Sequence, residues 1–134
     1  MSGEPLRLPG GVEARIHVTG ADSGGAFVLL TDTAPPGWSL PPHRHANESE
    51  TIHITRGALW LEVEGVRREL RAGETAFVPQ GALHTGGTLG TERVERVVVF
   101  APAGMERFFT ALAETTDPAV MLALATEHGW TFEA

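Results

Sequence analysis

The sequence predicts an all-β barrel followed by two short C-terminal helices, and three observations carry that prediction. Through residue 100, short apolar runs with period-two alternation are separated by turn signals rich in Gly, Pro and Asp. Beyond Pro102 the apolar period lengthens to that of a helix. The 134-residue length suits one domain, large enough to bury a core without staples. The expected layout is a single domain over residues 1–134, with the barrel at about 12–101 and the helices at about 104–128.

Taken in order, Val12 to Val18 alternates apolar and polar and reads as an edge or swapped strand, and Ala26 to Leu30 is a short apolar run. Pro35-Pro36-Gly37 and then Pro41-Pro42 read as breaks. Leu59, Leu61 and Val63 alternate with Trp60, Glu62 and Glu64, and Glu64-Gly65 turns the chain into Val66 to Leu70 as a hairpin. Thr75 to Val78 and Glu92 to Phe100 are further strands, the last ending in a β-branched run suited to burial. Met105, Phe108, Phe109 and Leu112 then recur at helical spacing. Asp117-Pro118 supplies an N-cap and a first helical residue, and Gly129 a stop. Both helices are expected to cover the outside of the barrel.

Composition excludes several functions. With no cysteine, disulfides, thiolate metal sites and thiol nucleophiles are absent. All ten basic residues are arginine and there is no tyrosine, so Schiff-base lysine and tyrosine chemistry are absent too. A net charge of −7 argues against nucleic acid, which requires a basic footprint. Neither a leader-like apolar segment nor a membrane-length apolar stretch is visible, so the expectation is a cytoplasmic protein with no membrane partner.

Four of the six histidines lie between residues 43 and 84. His43 and His45 are two apart, so on a strand both imidazoles share one face. Glu50 shares a strand face with Ile52 and Ile54, and a carboxylate among apolar neighbours needs a cation, a hydrogen bond or an ion-pair partner. His84 follows the Pro79-Gln80-Gly81 turn, which can return it to the first pair. Three imidazoles and a carboxylate suit one divalent transition metal (Fe, Mn, Ni, Co, Cu or Zn) in open coordination. Glu48 competes with Glu50 for the fourth place. His53 falls on the opposite face from Glu50, His17 reads as a surface or interface residue, and His128 as a helix-end cation. Trp60 reads as outer-sheet packing, and Phe77 and Phe100 as pocket-lining residues.

The spacing around these residues resembles a known family. Gly37, five residues, His43, one residue, His45, four residues, Glu50, six residues, Gly57 is similar to the first cupin motif. Gly73, five residues, Pro79, one residue, Gly81, two residues, His84 is similar to the second. The resemblance covers roughly residues 25–100 and implies a jelly-roll barrel with His43, His45, Glu50 and His84 holding metal inside. It favours Glu50 over Glu48. Thr88 stands where the second motif usually has Asn, which puts in doubt a contact outside the ligand set.

Pro102 to Phe109 also resembles small cupins described as quercetin-dioxygenase-like. That likeness implies an oxygenase acting on a small enol or phenolic molecule, with Glu50 as both ligand and catalytic proton acceptor. The alternatives are a non-oxidative isomerase or cyclase and a non-catalytic small-molecule binder. Small cupins usually pair through their outer sheet, so a homodimer is expected.

Overall fold

Alternating side chains need two environments, and the chain supplies them by folding its strands into two facing antiparallel sheets. The structure is a computed structural model and describes residues 4–133. Its strands are β1 (Leu6–Leu8), β2 (Val12–Val18), β3 (Val28–Ala34), β4 (Ser39–His45), β5 (Ser49–Arg56) and β6 (Ala58–Val63). They continue with β7 (Val66–Arg71), β8 (Thr75–Val78), β9 (His84–Leu89), β10 (Val94–Ala101) and β11 (Trp130–Phe132). Two helices, α1 (Met105–Leu112) and α2 (Pro118–Glu127), lie between β10 and β11. One sheet runs β1-β2-β3-β10-β5-β8 and the other β11-β4-β9-β6-β7, the jelly-roll arrangement expected of the motifs.

Parity decides what lies inside. On β5, Glu50, Ile52 and Ile54 are buried, while His53 points outward, its Nδ1 2.8 Å from Thr75 Oγ1. On β6 and β10, Leu59, Leu61, Val94, Val98 and Phe100 face inward. One apolar cluster joins Ile52, Ile54, Leu59, Leu61, Leu70 and Val78. A second joins Leu30, Val98 and Phe100 to Met105, Phe108 and Trp130. Each such Leu or Ile contributes about 1.5–3 kcal/mol when fully buried. At the β6–β7 turn both Glu64 (φ 48°) and Gly65 (φ 81°) have positive φ, as a two-residue hairpin turn matching the strand twist requires. Asp117 caps α2, its Oδ1 accepting from the Ala119 amide at 2.9 Å.

Several expectations need correction. Pro41-Pro42 does not interrupt β4; the prolines sit where the β4–β9 register shifts between Leu40 and His43. Lacking amide hydrogens, they are accommodated where the ladder is already interrupted, and the shift re-aims His43. Ala26 to Leu30 becomes a strand only from Val28 and extends to Ala34. Val12–Val18 is an edge strand only in part, because β1 pairs with its first three residues, Val12, Glu13 and Ala14. Phe77 is 59% exposed, since Ala76 and Val78 on either side take the inward face. The helices do not merely coat the barrel: Phe108, Phe109, Leu112 and Met121 line its cavity. No strand was expected after Gly129, yet β11 pairs with β4.

Candidate metal centre

Two neighbouring strands bring the histidines together. β4 carries His43 and His45 on its inward face, and β9 pairs with β4 so that His84 lies directly opposite His43. Their nitrogens approach within 4.8 Å of one another, and all three residues are buried. His43 Nδ1 lies 2.7 Å from the Pro41 carbonyl and His84 Nδ1 3.0 Å from the Ala82 carbonyl. A carbonyl only accepts, so each Nδ1 carries the hydrogen and each Nε2 presents a lone pair. His84 Nε2 is buried and has no hydrogen-bond partner.

Glu50 enters from β5 in the facing sheet. Its Oε1 is 3.4 Å from both His45 Nε2 and His84 Nε2. That is long for a hydrogen bond, but two donors each about 2.1 Å from one metal ion stand about 3–3.4 Å apart. The three-histidine group therefore fits a metal site, and Glu50 adjoins it. Burial opposes the Glu50 charge, but the His45 and His84 imidazoles outweigh it and hold the carboxyl well below the usual carboxylate range. Burial, with the nearby His84, pushes His43 down to about 4. For His84 burial acts the same way, but Glu50 overcomes it and raises the pKa above the ordinary imidazole value.

Glu48 is also buried, but it is Glu50 that stands against the imidazoles. The Glu48 Oε1 has no hydrogen-bond partner, and burial raises its pKa. Thr88 is occupied by the fold: its hydroxyl donates to the Pro35 carbonyl at 2.8 Å. His17 Nε2 lies 2.7 Å from Thr31 Oγ1, and His128 is the residue that closes α2; neither adjoins the histidine group. Trp60 faces outward under Arg67, whose guanidinium carbon is 5.0 Å from the ring centre.

Sequence reasoning missed the wall behind the histidines. β11 lays Trp130 opposite His45 and Phe132 opposite His43. The Trp130 ring stacks on His43 at 4.7 Å and 16° and meets His45 edge-on at 4.5 Å and 88°. Its indole N–H donates to Met105 Sδ at 3.3 Å. Two aromatic residues after the Gly129 stop were the only local hint, too short a stretch to read as a strand. Also missed was the inward pair Asp32–Arg96, directly opposed on β3 and β10. Arg96 Nε and Nη2 donate to the two Asp32 oxygens at 2.9 and 2.6 Å. The histidines, Glu50 and this pair line one cavity of about 370 Å³, otherwise walled mainly by aliphatic and aromatic side chains.

Comparison with known proteins agrees with this architecture. Residues 31–100 match the family model described as a cupin domain. The chain is 27% identical over 114 residues to a quercetin 2,3-dioxygenase of Bacillus subtilis, covering 84% of this chain and 34% of that protein. It thus spans about a third of the length of that curated relative. Among solved structures, KdgF from Halomonas sp. superposes with a TM-score of 0.68 at 18% identity, over 78% of this chain and 90% of that one. The polyketide cyclase RemF of Streptomyces resistomycificus gives 0.62 at 27% identity, over 74% and 73%.

Proposed function

The chain belongs to the cupin domain family, and from that premise we propose a metal-dependent oxygenase acting on a small enol or phenolic molecule. The observation that carries the reading is three imidazoles and a carboxylate converging on a largely apolar cavity of about 370 Å³. His43, His45 and His84 would hold a divalent ion through Nε2, with Glu50 Oε1 as fourth ligand. When bound, such an ion supplies Lewis acidity toward a ligand oxygen and a template for O₂.

The protein's own residues do the rest. Leu30, Ile52, Val98 and Phe100 keep the ligand's rings out of water. Glu50, ionised at neutral pH, accepts the enol proton as the ligand's oxygen approaches. Trp130 and Phe132 fix the planes of the histidines on β4. The B. subtilis relative supports the oxygenase class. A non-oxidative cyclase is the second reading, favoured by the likeness to RemF. In either case we take the active form as a homodimer, which a monomer mass in light scattering would contradict.

The test is metal content by plasma mass spectrometry on wild type, His45→Ala, Glu50→Ala and Glu50→Gln, followed by oxygen consumption with flavonols. Near-stoichiometric metal lost in both alanine variants, with oxygen uptake in wild type, supports the proposal. Metal retained in Glu50→Gln with turnover lost isolates the proton-acceptor role. Steady turnover under strict anaerobiosis moves the assignment to the cyclase. Absence of metal after reconstitution with Fe, Mn, Ni or Zn overturns both enzyme readings and leaves a small-molecule binder.

A further inference from the structure

The least expected feature of the cavity is its one internal ion pair other than those of the histidine group. Asp32 and Arg96 have side chains only 8% and 10% exposed, yet both line the cavity among apolar residues. The fold does not call for them, because well-packed apolar residues of similar volume in place of a buried ion pair are often as stable or more so. Their geometry is restrained. Two hydrogen bonds hold the guanidinium against Asp32, and its central carbon lies 5.2 Å from the Trp38 ring centre. The remaining nitrogen, Nη1, has no hydrogen-bond partner among the described residues.

We propose that Asp32 and Arg96 form a second polar anchor in the cavity, binding a hydroxyl or carbonyl oxygen of the ligand away from the histidines. The proposal deepens the functional reading above, and rests on it only for the class of ligand. Charge selects the oxygen type. Asp32 already neutralises Arg96, so a carboxylate gains little there and meets the Asp32 charge. A neutral oxygen can accept from Nη1, and a hydroxyl can also donate to a spare lone pair on Asp32. Register sets the spacing. On β10, Phe100 pairs with Glu50 and Arg96 with Ile54, so the anchors stand four residues apart, on the order of 13 Å of strand. Ile52 and Val98 line the cavity between them. The ligand class is therefore a rigid, mostly apolar molecule with one oxygen for the histidine end and another at its far end.

The test compares 2,6-dihydroxynaphthalene with 6-methyl-2-naphthol, which share one hydroxyl for the histidine end and differ by a hydroxyl in place of a methyl at the far end, using equilibrium dialysis at equal, measured metal content. The quantity read is the ratio of the two dissociation constants, in wild type and in Asp32→Leu/Arg96→Met. The double variant should shift the ratio roughly tenfold against the hydroxyl, the size of one hydrogen bond to a charged group. Should that variant fail to fold, Asp32→Asn/Arg96→Gln carries the same test, with a shift of at least about threefold expected. A ratio unchanged by the substitutions overturns the anchor, even where flavonols are oxidised. A ratio that moves as expected supports it, even where no flavonol is turned over, so the two readings fail separately.

Discussion

Removing Trp130 should damage stability and metal binding together. The side chain is 8% exposed and touches His43, His45, Phe108 and Met105. A buried indole removes on the order of 200 Å² from water, so Trp130→Ala costs about 4 kcal/mol. For 134 residues the unfolding entropy near 60 °C is about 0.28 kcal/mol/K, and the melting temperature should fall by about 14 °C. The two imidazoles lose the surface that sets their planes, and zinc affinity should weaken by about 10–100-fold, as when other ligand-orienting groups are removed. Trp130→Phe keeps a ring on His43 but loses the bond to Met105, so roughly a third of the stability loss is expected. Thermal melts of the metal-free protein and zinc titrations against a competing chelator measure the two effects separately. A Trp130→Ala melt within about 4 °C of wild type, with unchanged zinc affinity, would refute the role given to β11.

Three further outcomes follow from other parts of the fold. Gly57 has φ 76°, and an added Cβ would collide with the Arg93 carbonyl oxygen. Gly57→Ala should cost about 2–4 kcal/mol in urea unfolding, against about 1 for Gly73→Ala, where φ is also positive but space is open. Asp32→Ala leaves a buried guanidinium unpaired and should cost about 3–5 kcal/mol, whereas Asp32→Leu/Arg96→Met should stay within about 1.5 of wild type; equal losses in urea would show that volume, not charge, matters there. Zinc affinity should fall as pH drops through the raised pKa of His84, because the ion must displace its proton, with the decline starting above the ordinary imidazole value. His43, pushed down to about 4, is already neutral across that range and adds no proton release. A zinc affinity flat between about pH 8 and 5.5 would contradict this assignment.

The strands were legible because their burial is one-sided. The Glu50, Ile52, Ile54 face and the Leu59, Leu61 face each follow parity, and the same rule put His43 with His45 and turned His53 away. Parity also held the answer for Phe77, whose neighbours Ala76 and Val78 are both buried. What escaped depends on partners distant in sequence. Trp130-Thr131-Phe132 is too short for a periodic signal, and only the open edge of β4 makes it a strand. Parity puts Asp32 on the face of Leu30 and Ala34 and Arg96 on the face of Val94 and Val98, but the two are 64 residues apart and no local signal pairs them. Pro41-Pro42 read as a break because proline cannot donate to a ladder; the register shift that accommodates it belongs to the β4–β9 pairing.

Being only three residues long, β11 is expected to open on a timescale of its own beside the three-histidine group. It is fastened through the Gly129 carbonyl, which accepts from the Ala46 amide at 2.9 Å, and the Glu133 amide, which donates to the Pro42 carbonyl at 3.1 Å. Arg44 to Glu133 adds a surface ion pair at 3.3 Å. Detaching the segment exposes Trp130, at the cost of about 4 kcal/mol set against its side chain above, yet leaves the sheets behind it folded. The residence time of an ion on His43 and His45 is then expected to follow this local opening, readable as faster amide exchange in residues 130–132 than in β5 or β10. An ion could leave and return many times while the barrel never comes apart.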